Sequence, residues 1–377
     1  MYYKPFFCFF FSCTAFIYAD EAAAVLQKED ETTVVLQKEE KSEPFCKAAT
    51  ETYSWNQDLS YETCTCVQEE REPMFFAVDW VYFKAVEDSL RYSIRFPATV
   101  DKIETINADS SCFEQKPSYR SGYRVSGALP SACGKWRIGG SWLNFISSPP
   151  SVHVESPDFG LVANYAIPNF GLINTLGTNA ATGKWKLHVD EFDLVLQKRL
   201  CFDSKIILNP YAGVKGGIIS QNTHVQYEGL SDVGTGSLPA PQSFRAKSSY
   251  WGVGPVLGIA INYPLTGSLQ MFFDGSLAGV VGDFKVCSTY QDFVDNPSLE
   301  WLIKNTKTNL SIATQWRAGI QLFREMSRFL LQLEAGWEAH HWSGQMRMDS
   351  MATFILPQNS GADLSFYGPF FRILLAF

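Results

Sequence analysis

From Met74 to the end of the chain, apolar and polar residues alternate with a period of two. Successive side chains of a strand point to opposite sides, so this alternation predicts extended segments with two chemically distinct faces. The clearest run is 309–322. Leu310, Ile312, Trp316, Ala318, Ile320 and Leu322 share one face, and Asn309, Ser311, Gln315, Arg317 and Gln321 share the other. The next segment repeats the design, with Leu331, Leu333, Ala335, Trp337 and Ala339 alternating with Gln332, Glu334, Gly336, Glu338 and His340. Trp136, Ile138 and Trp142 oppose Lys135, Arg137 and Ser141, while Trp251, Val253, Leu257, Ile259 and Ile261 oppose Gly252, Gly254, Gly258 and Asn262. In 185–190 the same rule assigns Trp185, Leu187 and Val189 to the apolar face, and Lys186, His188 and Asp190 to the polar one. The phase then switches near Glu191 to Phe192, Leu194 and Leu196, which predicts a β-bulge there.

Alternation alone suits a soluble sandwich as well as a barrel. Two features point to a barrel. Charges stand in mid-strand on the polar face, as a wet lumen would hold them. Trp and Tyr stand near strand ends on the apolar face, where rings anchor at a membrane–water interface. A spanning helix takes about 18 consecutive apolar residues, and the best candidate, Trp251 to Tyr263, is shorter and broken by glycine and proline. The chain closes with Phe371, Ile373, Leu375 and Phe377 on one phase, an amphipathic final strand of the kind read by the barrel-assembly machinery. The expected fold is all-β: a transmembrane antiparallel β-barrel of about 12 strands (range 10–14), an even number being the rule. It occupies 74–377 and is preceded by an N-terminal extension. Expected external loops, rich in Gly, Ser and Pro, are 147–158, 229–247 and 287–306.

Residues 1–19 read as a secretory signal peptide: Lys4, an apolar stretch from Phe6 to Ile17, and Ala19 at the cut. Residues 20–73 read as an acidic, Cys-containing periplasmic extension, in which VLQKED at 25–30 recurs as VLQKEE at 35–40. The net charge of −8 comes largely from this segment, and no basic footprint for nucleic acid is present. Past the leader the cysteines are Cys46, Cys64, Cys66, Cys112, Cys133, Cys201 and Cys287, all candidates for disulfides. Their odd number in an oxidising compartment implies a free thiol or an intermolecular bond. Cys64 and Cys66 are too close to pair with each other. A zinc site from Cys46, Cys64 and Cys66 lacks a fourth ligand and standard spacing.

Candidate chemistry is sparse. His341 and Ser343, two apart on a strand, share the apolar face, but a nucleophilic Ser needs a base oriented by a third group, and the sequence names none. No enzyme activity, cofactor or metal is expected. Lys135, Arg137, Lys186, Arg317, Glu334 and Glu338 are the candidate lumen-lining residues. Such charges set ion preference in pores, although plain solvation of an inward face needs no conduction.

Several segments in order look familiar. They are FFAVDWVYFKA at 75–85, SGYRVSGALP with KWRIGGSWLNF within 121–145, GKWKLHVDEFDLVLQKRL at 183–200, and NPYAGVKGG at 209–217. SYWGVGPVLGIAINYPL at 249–265, AGIQLF at 318–323, LEAGWEAHHW at 333–342 and the closing Phe continue the series. The chain resembles the Legionella-type major outer membrane protein family, which has members in chlamydia-like bacteria too. The resemblance implies a bacterial outer-membrane barrel, described as porin-like or as a surface antigen, and in chlamydia-like bacteria one that can join a disulfide-linked envelope. The acidic duplicated segment at 20–45 is not part of that pattern. The expected function is passive diffusion of small hydrophilic solutes; the alternative is a surface adhesin or structural envelope protein with a plugged barrel. Expected partners are outer-membrane lipid, the assembly machinery and disulfide-linked envelope proteins. Self-association stays open.

Overall fold

The computed structural model describes residues 73–87, 91–95, 111–114, 116–131, 136–156, 161–163, 176–202, 206–228, 231–232, 236–237, 242–292, 300–346 and 362–377. The expected signal peptide and acidic extension, together with Lys135, Cys46, Cys64, Cys66 and Cys133, lie outside the described residues.

Ten long antiparallel strands form a closed ring. They are β1 (Phe75–Glu87), β2 (Tyr119–Pro130), β3 (Trp136–Ser147), β4 (Ala180–Lys198), β5 (Ile206–Glu228), β6 (Gln242–Pro264), β7 (Leu269–Asp292), β8 (Glu300–Met326), β9 (Phe329–Met346) and β10 (Ala362–Ala376). Each pairs with its neighbour in sequence, and β10 closes on β1 with Phe76 opposite Leu375 and Trp80 opposite Phe371. Closure gives every strand two partners, the condition for a sheet to sit in hydrocarbon. The ring has ten strands rather than about 12 because the walls are tall. β4 has 19 residues and β8 has 27, so the same length of chain makes fewer strands.

Val152–Glu155 pairs with the upper part of β4 outside the ring, and Leu200–Phe202 extends the β4–β5 hairpin. Six short strands, from Arg91–Arg95 to Gly236–Ser237, form a separate small sheet. The tight turns at 265–268 and 327–328 lie at the end where Phe377 N donates to Met74 O (2.8 Å). The long connections after β1, β3, β5 and β9 leave the opposite end. In outer-membrane barrels short turns face the periplasm and long loops face outward. Two expected loops are shorter than the sequence reading placed them, because β6 already begins at Gln242, β7 runs to Asp292 and β8 begins at Glu300.

The periplasmic two-thirds of the wall carries an oily exterior. On β6 it runs from Trp251 through Leu257 to Tyr263, every second residue exposed or half-exposed. That span is roughly 30 Å tall for strands tilted about 40°, matching a hydrocarbon core. Its outer edge carries paired rings: Tyr82 stacked on Tyr119, Tyr123 edge-on to Trp142, and Trp337 tilted against Tyr367.

β4 corrects the sequence reading. Trp185, Leu187 and Val189 are fully buried inside the barrel, while Lys184 and Lys186 are exposed outside. No bulge accompanies the switch near Glu191: β4 keeps unbroken register with β5 (Asp190 opposite Ile218, Phe192 opposite Gly216) and with β3. The strand leaves the oily belt at Phe192. Above that height the outer face carries polar side chains in place of oily ones and a packed core fills the inside, so the two faces exchange chemistry while the backbone phase continues. A bulge does occur in β9, where register shifts between Trp342 and Met346 around Gly344, at φ 61°.

Candidate functional site

The interior of the barrel is the place where function would be expected, and side chains fill it. An eight-stranded barrel is just wide enough for its own side chains. Ten strands leave a little more room, which Arg, Lys, Trp and His occupy here.

At the level of the oily belt the filling is ionic. Arg124 on β2 grips Glu338 on β9 through two hydrogen bonds (Nη1 to Oε2 2.9 Å, Nη2 to Oε1 2.5 Å) and also donates to Asp79 on β1 (3.2 Å). Arg372 on β10 holds Asp79 in a fork (2.6 and 2.9 Å) and approaches Glu334 at 3.5 Å. Arg317 on β8 lies 3.5 Å from both Asp79 and Glu338 and covers the Phe370 ring. Lys215 on β5 is shared by Glu191 and Asp193 of β4 (3.2 Å each) and donates to Gln315 (3.2 Å), which in turn donates to Glu338 (2.9 Å). Asp79, Glu191, Lys215, Glu338 and His340 are all buried. A buried charge is tolerated only when paired, and this chain of alternating signs pairs each member.

The decisive contacts cross the full width of the ring. β4 and β9 stand on opposite walls. Trp342 on β9 donates its indole N–H to Glu191 Oε1 on β4 (2.6 Å), and His340 Nδ1 lies 3.0 Å from Glu191 Oε2. His340 also reaches Glu338 at 2.7 Å. Trp342 has room because Gly217 faces it from β5, where a Cβ would meet the indole at 2.8 Å. Above this level the filling is apolar. Phe83, Phe145 and Phe366 pack together at 5.6–5.7 Å between ring centres, His340 stacks on Phe366 at 4.4 Å, and Trp185, Leu187, Ile219, Tyr250 and Phe284 join the same core. Ala77, Leu374 and Ala376 form a smaller apolar cluster toward the periplasmic end. A hollow of 410 Å³ near that end is lined largely by outward residues, Phe76, Leu129, Ile138 and Leu194 over Gly127 and Gly140.

Of the candidate lumen residues, Arg317, Glu334 and Glu338 lie in the ionic belt, and Arg137 faces inward, donating to Gln197 (2.6 Å) and covering the Phe75 ring. Lys186 faces outward, a correction that follows from the inverted upper part of β4. Phe371, Ile373 and Phe377 are exposed on the oily face, with Leu375 half-buried beside them. Cys287 is a free thiol. The side chains of Cys112 and Cys201 lie outside the described set.

His341 faces outward, as expected, but its partners come from β10 rather than from Ser343. Nδ1 lies 3.0 Å from Ser365 Oγ and Nε2 lies 3.6 Å from Asp363. Ser343 instead accepts the amide of Ile312 (2.8 Å), and Asp363 accepts that of Gly344 (2.9 Å). Ser365 is paired on both sides, opposite His341 and Val86, so its neighbouring amides serve the sheet rather than an oxyanion. Among the described residues no cluster of His, Cys, Asp or Glu is arranged to hold a metal ion.

Sequence reasoning missed Asp79, Arg124, Glu191, Lys215, His340, Trp342 and Arg372. A usable signal existed: a lone ionisable residue between two large apolar ones, as in Val78-Asp79-Trp80, Tyr123-Arg124-Val125 and Phe371-Arg372-Ile373. Which of them meet is a matter of the ring closure.

Among solved structures the chain is similar to the outer membrane protease OmpT from Escherichia coli, with 12% identity, a TM-score of 0.40, and 84% of this chain and 100% of that one covered. It is also similar to a Pseudomonas aeruginosa FadL homologue (5% identity, TM-score 0.25, covering 82% and 90%) and to the Pseudomonas putida toluene transporter TodX (9%, 0.21, covering 81% and 89%). No curated protein sequence matches it. The family model described as Legionella pneumophila major outer membrane protein precursor matches residues 66–377, the whole ring of strands. The chain is therefore a bacterial outer-membrane β-barrel and belongs to the Legionella pneumophila major outer membrane protein family.

Proposed function

We propose that this protein is a plugged outer-membrane barrel, a structural surface protein whose ring anchors the outward-facing connections. The observation that carries this reading is the bridge between opposite walls, Trp342 and His340 on Glu191, with the aromatic layer directly above it. A hydrated solute would have to displace paired, buried charges, and breaking one such pair costs about 3–5 kcal/mol. An eight-stranded ring is filled by its own side chains, and at this height the large rings of Phe83, Phe145, Phe366, Trp185 and Tyr250 fill the ten-stranded one.

Passive diffusion of small hydrophilic solutes is the second reading. It is favoured by the mixed-sign belt itself, since Asp193 and Arg372 keep part of their side chains accessible and charged rings are what selective pores use. Planar bilayer recording separates the two. The plugged barrel predicts electrical silence from the natural chain and stepwise currents from Trp342→Ala combined with His340→Ala. Stepwise currents from the natural chain, at ordinary voltages, overturn the plug and support the pore.

A further inference from the structure

Above the oily belt, the outer wall of β4–β8 carries an unbalanced strip of cations. Lys184 and Lys186 on β4, Arg245 and Lys247 on β6, Lys285 on β7 and Lys304 on β8 are all exposed. They share the outward phase of Phe192, Trp251, Val281 and Leu310, the last oily residues of those strands. Strand register sets them in rows. Lys186 lies opposite Asn222, Asn222 opposite Lys247, Lys247 opposite Cys287, and Cys287 opposite Lys304. Alternate members of that row are therefore roughly 10 Å apart, two strand spacings. One step higher, Lys184 and Arg245 flank His224. His224 is held below the ordinary histidine value by partial burial and then by Arg245 and Lys184.

Acids do not cancel the strip. None of the six cations makes an ion pair among the described residues. The outward acids described on β4–β8 are Asp190, Glu228 and Asp283, three against six cations. Asp190 is further tied to Trp142, Asn144 and His188, and Asp283 to Thr308, so the strip keeps a net positive charge. The opposite side of the barrel is mixed at comparable height, with Lys84, Ser121, Asn144, His341 and Asp363.

We propose that this strip binds anionic phosphate-bearing lipid headgroups of the outer leaflet. Height argues for lipid. Lys247 stands four residues beyond Trp251, and Lys285 four beyond Val281, roughly 10 Å above the edge of the oily belt for tilted strands. The polar layer reaches roughly 5–7 Å beyond the hydrocarbon, since about 30 Å of hydrocarbon grows to about 40–45 Å with the headgroups, so these backbone positions stand a few ångströms above it. Flexible lysine stems bend toward the interface, keeping their amines in the polar layer. Shape argues the same way, because the strip lies flat along the wall. A free phosphate ion meets one or two amines there, whereas a lipid is held by its chains against Val253 and Leu310 and by its headgroup under the cations.

The test uses the full chain, folded in detergent and mixed with vesicles of zwitterionic lipid with or without a phosphomonoester-bearing anionic lipid. Inorganic phosphate alone serves as competitor, and the readout is lipid retained after gel filtration. The natural chain is expected to retain the anionic lipid in a salt-sensitive manner. The variant carrying Lys186→Gln, Lys247→Gln, Lys285→Gln and Lys304→Gln is expected to bind it at least about tenfold more weakly. A control carrying Lys198→Gln and Arg324→Gln, cations at the periplasmic end, keeps natural retention, and all three chains show the heat-dependent gel mobility of a folded barrel. Undiminished binding by the strip variant overturns the proposal. So does equal loss in the control, or displacement by inorganic phosphate at concentrations matching the lipid.

Discussion

β4 passes through two different proteins. In its lower part Phe192, Leu194 and Leu196 face out while Glu191 and Asp193 face in; in its upper part Lys184 and Lys186 face out while Trp185, Leu187 and Val189 face in. One backbone, one alternation and one register serve both. The difference teaches that the chemistry of a strand face follows what covers it, and not the strand. Where lipid covers the outside, the inside can hold a paired ionic belt, because the oily side already satisfies the membrane. Where the covering is polar, stability must come from burying apolar groups within, as in any soluble core.

The largest expected effect tests the lower part. Glu338→Ala leaves Arg124, Arg317 and His340 facing a void, and such orphaned buried charge costs on the order of 3–5 kcal/mol. Denaturant unfolding followed by tryptophan fluorescence should show it, and a loss under about 1 kcal/mol would mean that water already solvates the belt. Next comes position along one outer face. Leu257→Arg, at the middle of the oily span and 66% exposed, should cost about 2–4 kcal/mol in lipid, and Asn222→Arg, above the belt, about 0–1. Equal costs would erase the boundary drawn here between the two parts. Gly344→Ala, at φ 61° in the β9 bulge, should cost about 1–2 kcal/mol by thermal denaturation, since an L side chain is strained there. The smallest effect belongs to Lys186→Leu, outside the upper part, where a change within about 0.5 kcal/mol is expected. A much larger loss would place Lys186 inside.

Much of the architecture was legible. The alternation in 309–322 and 331–340 assigns the outward and inward residues of β8 and β9 as they stand, because along these stretches the outside is lipid throughout. The same rule failed at 185–190, because it equates apolar with outward, and that equation ends where the membrane does. The strand number came out high because alternation marks where a strand is and not how far it continues past the bilayer. Glu334 and Glu338 could be named as inward; that Glu338 would meet Arg124 could not, since 214 residues separate them.

The amino-acid order by itself determined that the chain forms strands, which residues of each belt-spanning segment face oil, and that no long apolar helix competes, because these depend on local period and side-chain chemistry. Only the tertiary structure decided that the ring closes at ten, that β4 and β9 stand opposite each other, and that Trp342 and His340 therefore reach Glu191 across the lumen. Closure sets the diameter, and the diameter decides whether side chains from opposite walls line a pore or fill it.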